Sequence, residues 1–309
     1  MIFSILNTRR FPCPRTHFLH ARKLAEGFIQ HGYHFHVITK LSELSDLREA
    51  DIVYVSNHFS TEILHRHVNK VLQAQLFDQL RSCKAKKILW NFHTLPDWDA
   101  ISSLERPVLH LGEDLYPEAV AREPILRNFR SQFYVHPLRY GAPLHPDTTE
   151  LPNEQRDLDF NFIGAGYQKQ LTAHAARRYR ALIKNTPPPV SEPLRVNSYR
   201  RAEINLVFHA PSNIKKGIVV ERFAEALAYG GIIAHDHPRI DVLCAGAPFA
   251  KRVETQEELD DFHTRVLSTP EPIRNKLRRH ARELFRSGRF SYFHQVEDIL
   301  EALNDRGNQ

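Results

Sequence analysis

The stretch Ser198–Asp236, SYRRAEINLVFHAPSNIKKGIVVERFAEALAYGGIIAHD, limits what this chain can fold into more than any other. It reads as a polar helix start, a buried strand over Ile204–His209, a loop over Ala210–Gly217, a helix and a second strand. The loop carries the turn formers Pro211, Ser212, Asn213 and Gly217 beside the cations Lys215 and Lys216. Val220, Phe223, Ala224, Leu227 and Ala228 are apolar at helical spacing, which predicts one buried face. Gly230-Gly231 stops that helix, because glycine takes the left-handed conformation without strain. Ile232-Ile233-Ala234 is then a short strand covered on both faces. In doubly wound sheets, ligands collect where strand ends meet helix N-termini. The pattern therefore places Lys215, Lys216, Glu221, Arg222 and Glu225 at a crevice suited to a phosphorylated, hydroxylated ligand.

The chain has 309 residues, enough for two domains of roughly 150 each. A hydrophobic content of 42% excludes global disorder. No run of about 18 apolar residues would cross a membrane as a helix. The first apolar segment, Ile2–Leu6, is followed by cations rather than preceded by them, the order of a first strand and not of a secretory signal. Cys13, Cys83 and Cys244 are too scattered for a disulfide framework or a zinc site, so a reducing cytoplasm is expected. The 19 histidines fall in no metal-ligand spacing, and no metal or cofactor is expected. A formal charge of +6 and a pI near 9.2 favour anionic partners. No nucleic-acid-binding motif accompanies that charge, so nucleic acid is not expected among them.

The N-terminal half repeats strand, helix, strand. Ile2–Leu6 precedes a loop with Arg9, Arg10 and Arg15, either a solvated basic turn or a contact for an anionic acceptor. A helix from Thr16, with Ala25 and Phe28 on its apolar stripe, leads to a strand over Tyr33–Thr39. Further strands are expected over Asp51–Ser56, Lys87–Phe92, Pro107–Leu111 and Phe133–His136. His93 follows one strand end and Glu113-Asp114 another, where a parallel sheet presents groups to a ligand. A carboxylate there can act as a base on an acceptor hydroxyl, or simply begin a helix. Leu144–Asp157 lacks apolar periodicity and reads as a linker. Beyond it, a strand over Leu158–Ile163 runs into Gly164, Gly166 and Lys169, the strand–glycine–helix order that binds phosphate through backbone amides. A basic helix through Arg177, Arg178, Arg180 and Lys184 is expected next, then at most a short strand before Asn197. Thr255 to Leu259 begins a capped helix, Pro270–Ser287 is an amphipathic basic helix, and Phe290–Leu303 a final one.

Glu225-Ala-Leu-Ala-Tyr-Gly-Gly, a strand and Asp236 resemble the donor-site motif of the GT-B glycosyltransferases, in particular family 4 and the spore-maturation-type group. The resemblance implies α/β architecture with two Rossmann-like domains and the cleft between them. An acceptor domain would span residues 1–143, a linker 144–157, a donor domain 158–289, and a helix over 290–309 would pack back on the first domain. It implies transfer of a sugar from a nucleotide-sugar donor to a glycan or lipid-linked acceptor, without metal, in cell-surface polysaccharide synthesis. Glu225 would bind ribose hydroxyls, Lys169, Lys215, Lys216 or Arg222 the diphosphate, and His93 the transferred sugar. Family 4 has a second glutamate where this chain has Gly217. Glu221-Arg222 offers another alignment, similar to the donor motif of bacterial α1,3-fucosyltransferases. A non-catalytic nucleotide- or glycan-binding protein is the third alternative. The basic segments Arg177–Lys184 and Arg274–Arg282 would allow peripheral contact with an anionic membrane on its inner face.

Overall fold

The computed structural model describes residues 2–5, 25–38, 51–56, 78–79, 81–83, 86–91, 108–112, 134–138, 156–164, 168–184, 192–217 and 219–305. The chain forms two compact units, one of Met1–Arg139 with Tyr292–Gln309 and one of Tyr140–Ser291.

The first unit holds strands β1 (Ile2–Ile5), β2 (Phe35–Ile38), β3 (Ile52–Ser56), β4 (Lys86–Asn91), β5 (Val108–Gly112) and β6 (Tyr134–Leu138). They make one sheet in the order β2-β1-β3-β4-β5-β6, with every pair parallel. Residues 25–30 are helical and bury Ala25 and Phe28, the two stripe positions expected there. The candidate residues Arg9, Arg10, Arg15, His93, Glu113 and Asp114 lie outside the described residues.

The second unit is built on β7 (Leu158–Ile163), β8 (Ala181–Lys184), β9 (Ala202–Val207), β10 (Ile232–His235) and β11 (Ala250–Arg252). Their order is β11-β10-β9-β7-β8, again all parallel. Helices α1 (Lys169–Arg178), α2 (Glu192–Arg201), α3 (Pro211–Lys216), α4 (Glu221–Ala228) and α5 (Pro238–Leu243) connect them. After β11 come α6 (Gln256–Ser268) and α7 (Glu271–Ser287). Helix α8 (Tyr292–Asp305) is part of the first unit, where Phe293 stacks on His31 with ring centroids 4.2 Å apart.

Successive residues of a strand point to opposite faces, and the second unit uses both. Phe160, Phe162, Ile204, Leu206, Phe208, Ile232 and Ala234 pack with Leu171 and Ala175 of α1 and Leu259, Phe262 and Val266 of α6. Val207 and Ile233 face the other way, against Phe223, Ala224 and Leu227 of α4 and Ala281 and Phe285 of α7. Each fully buried phenylalanine contributes about 1.5–3 kcal/mol. Asn161 and Asn205 are the buried polar pair across β7 and β9; Asn161 Nδ2 donates to Asn205 Oδ1 at 3.1 Å.

Three expectations are corrected. Ala210–Gly217 is not a loop throughout: Pro211–Lys216 is the short helix α3, since Pro211 has the φ of a first helical turn and Gly217 (φ 74) closes it. Glu192–Arg201 is a helix rather than a short strand at most. The basic helix ends at Arg178, and Ala181–Lys184 is strand β8, because Tyr179 turns extended (φ −129, ψ 166).

Candidate functional site

The order of the second sheet sends β8 to one side of β7 and β9 to the other, so winding reverses between β7 and β9. The crevice outside the carboxyl ends of those two strands is where such folds bind ligands. Gly164 follows β7 there, and Phe208-His209 follow β9.

Arg222, in the first turn of α4, fills the opening of this crevice. Its Nη2 donates to the Phe208 carbonyl at 2.5 Å, and its guanidinium carbon lies 5.2 Å from the centre of the Phe162 ring. A methyl group on Gly164 would come within 2.9 Å of that carbon, so the glycine is what lets the cation approach the strand end. Gly164 is buried, and Lys169 at the start of α1 is exposed. The residue before it, Gln168, takes the left-handed conformation (φ 51) and donates from Nε2 to Asp236 Oδ2 at 3.2 Å.

Asp236 is the hub of a second group. It follows β10 and accepts from the His209 backbone N–H at 3.1 and 3.0 Å. The His209 Nδ1 lies 2.7 Å from Asp236 Oδ1, while the Val220 N–H donates to His209 Nε2 at 3.2 Å. These partners require one tautomer, with the proton on Nδ1 and the Nε2 lone pair accepting the Val220 N–H. Burial lowers the His209 pKa; Asp236 opposes this, and Arg222 adds to it. The neutral ring thus ties the ends of β9 and β10 to the start of α4. His237 packs edge-on against His209 at 4.7 Å and accepts the Arg239 N–H, capping α5; burial pushes its pKa down to about 4.

Glu225, on α4, is paired with α2. Its carboxylate is buried, 2.6 Å from Arg195 of α2, and Tyr199 of the same helix also bonds to it. Burial opposes charge on Arg195, but Glu225 and Glu221 outweigh it and raise its pKa. Burial and then Glu225 hold the Tyr199 phenol well above its ordinary value. Glu221 is half-exposed in the first turn of α4 and Lys215 is exposed on α3. Gly166 and the Lys216 side chain lie outside the described residues.

The structure therefore brings Gly164 and Arg222 together and adds Gln168, His209, His237 and Arg195. His209 and Asp236 had one legible signal, as each directly follows an apolar strand. Nothing in the sequence pairs Arg195 with Glu225, 30 residues apart on different helices. Among the described residues no three His, Cys, Asp or Glu side chains are grouped to hold a metal, and no helix is long and apolar enough to cross a membrane.

Two all-parallel sheets in one chain make an α/β protein, and the solved structures it is similar to have the GT-B fold. The T4 phage β-glucosyltransferase, solved with its UDP-glucose substrate, is similar over 98% of this chain and 99% of its own, with a TM-score of 0.61 and 11% identity. A structure of the DNA-modifying enzyme β-glucosyltransferase, with and without uridine diphosphoglucose, gives 0.58 at 12% identity over the same shares. The pneumococcal O-GlcNAc transferase GtfA, solved with UDP and GlcNAc, reaches 0.48 at 8% identity over 86% of this chain and 59% of its own. No protein-family model and no curated protein sequence matches. At these identities the likeness to the two β-glucosyltransferase structures establishes the fold alone.

Proposed function

We propose that this chain is a glycosyltransferase that moves a hexosyl group from a nucleotide-sugar donor held by the second unit. The observation that carries the reading is Arg222, lying over Gly164 at the point where the winding of the sheet reverses. A guanidinium there meets a diphosphate with a planar fork of donors and offsets the charge that develops as the nucleotide leaves. Lys169 and Lys215 extend the cationic rim, and Lys216 is its sequence neighbour. The Gly164–Gly166 segment and the start of α1 would offer backbone amides to the phosphates. Glu225 would reach the ribose with the carboxylate it shares with Arg195. His93, Glu113 and Asp114 are the candidates for sugar contact and for the base, with Arg9, Arg10 and Arg15 on the acceptor side. Solved structures of the same fold hold UDP-glucose, which supports a uridine donor. We place the chain nearest family 4 and the spore-maturation-type group, acting in the cytoplasm on a glycan or lipid-linked acceptor of cell-surface polysaccharide.

Arg222 favours one second reading. Read as the basic residue of a Glu221-Arg222 donor motif, it would meet the pyrophosphate of a fucosyltransferase-like, inverting enzyme with a guanosine donor.

A thermal-shift panel of UDP, GDP, ADP and CMP on wild type and Arg222→Ala tests both. A ligand at about 100 times its Kd stabilises by roughly 2.7 kcal/mol. UDP shifting wild type but not the variant supports the first reading, and GDP doing so supports the second. No shift with any nucleotide overturns the donor site and leaves a protein that binds something else.

A further inference from the structure

A concentration of positive charge lies at one edge of the second unit, away from the crevice. Because all five strands are parallel, the segments that enter them share the opposite edge of the sheet. Residues 156–159 enter β7, 177–180 enter β8 and 200–203 enter β9. Helix α6 leaves the carboxyl end of β11 and runs back, so that His263 lies 3.8 Å from Asp159 at the start of β7. The turn between α6 and α7 therefore belongs to this edge. Arg278 of α7 donates to Glu203 at the start of β9, which fixes the first turns of α7 there as well.

Residues 156–159, 177–180, 200–203 and 265–278 contain nine arginines and one lysine against four carboxylates. With Asp260, which meets Arg178, counted among the carboxylates, the edge keeps a surplus of five positive charges. The side chains of Arg178 and Arg180 are 60% and 65% exposed although each also meets a carboxylate. Two of the four large apolar side chains that the described residues expose, Leu267 and Ile273, flank the α6–α7 turn in the middle of this charge. The Arg274 guanidinium reaches the Leu267 carbonyl, so cation and aliphatic groups are interleaved.

We propose that this edge docks on an anionic phospholipid bilayer. Arginine forks match phosphate oxygens, each cation near such a surface adds to the attraction, and exposed aliphatic groups enter the headgroup boundary. The aliphatic pair is what favours lipid over a polynucleotide, whose phosphates offer nothing apolar to Leu267 and Ile273. Sequence alone showed two separate basic segments; the parallel topology joins Arg177–Arg180 to Arg274–Arg278 at one edge and sends Lys184, at the end of β8, to the other.

Flotation of the full chain with vesicles tests this, using phosphatidylcholine alone, the same lipid with about a third phosphatidylglycerol, and a duplex oligonucleotide as competitor. The protein is expected to float with the anionic vesicles only and to be released by raised salt. Arg177→Gln and Lys276→Gln should each weaken binding about fivefold, and Ile273→Ser about tenfold, with unchanged thermal stability because all three are exposed. Failure to float at low salt overturns the proposal. Binding that Ile273→Ser leaves unaltered, or that favours the duplex over vesicles, overturns it in favour of a polyanion site. Nucleotide binding at Arg222 is measured separately and can succeed or fail without touching this result.

Discussion

Replacing Gly164 by alanine should dislodge Arg222 without disturbing the strand that carries the glycine. Gly164 has no left-handed φ, so its backbone accepts an alanine. The new methyl group would lie 2.9 Å from the Arg222 guanidinium carbon and 3.3 Å from Phe162 Cζ. The ring can yield by a few tenths of an ångström, whereas the guanidinium must leave. It then gives up its bond to the Phe208 carbonyl, about 1.5–3 kcal/mol for a charged donor. Its contact with the Phe162 ring is worth a further 0.5–1 or about that. Against this, alanine restricts the unfolded chain and returns about 0.4–1 kcal/mol. The net expectation is a loss of about 1–3.5 kcal/mol, with nucleotide affinity falling as far as in Arg222→Ala. Urea unfolding of a double-mutant cycle measures it: with Arg222→Ala already present, Gly164→Ala should cost within about 0.5 kcal/mol of nothing. The same loss in both backgrounds would refute the reasoning, since the methyl group would then be striking something other than the arginine.

Three further outcomes are expected. His235 and His237 have pKa values pushed down to about 4 by burial, against about 6.5 in the unfolded chain. The unfolded state therefore binds protons that the folded one refuses, and stability should fall as pH drops from 6.5 to 4, by at most about 1.4 kcal/mol per unit for each ring. Urea midpoints at pH 7.5, 6 and 5 read the slope, and His237→Asn should flatten it. Arg195→Met or Glu225→Gln strands a buried charge or acceptor and should cost about 3–5 kcal/mol, while the double variant recovers part of the loss; strictly additive losses in thermal or urea unfolding would show that the two do not act as a pair. Thr255→Ala removes a capping box in which the Thr255 hydroxyl accepts the Glu258 N–H at 3.2 Å and Glu258 accepts from Glu254 and Thr255. About 1 kcal/mol, seen as a Tm lower by roughly 2–4 °C, is expected.

What the sequence disclosed follows from the range of the forces involved. Period-two and period-3.6 patterns are local, so β9, α4, β10 and the Thr255 cap could be read from their own residues. The α3 helix escaped because Pro211 and Gly217 are turn formers and helix punctuation alike, and six residues show no period. Helix α2 escaped because, among its described side chains, Tyr199 is the one large residue driven fully into the core, and a single anchor gives no stripe. The crevice itself was legible as a place, since strand ends and glycines mark it. The Arg195–Glu225 and His209–Asp236 pairs were not, because they are set by how helices and strands come together in space.

The return of helix α8 to the first unit has a consequence for the order in which the protein matures. On a ribosome the first unit emerges without its last helix, and about 150 residues of the second unit are made before that helix appears. At 5–20 residues per second this is a wait of about 8–30 s. The second unit, whose pieces are contiguous from Tyr140 to Ser291, is free to finish first. During the wait the groups that α8 will meet, His31 against Phe293 and Gly27 against Val296, stand uncovered on the nascent chain. Chaperones that screen emerging polypeptides would find the N-terminal half of this protein exposed for longer than its C-terminal half.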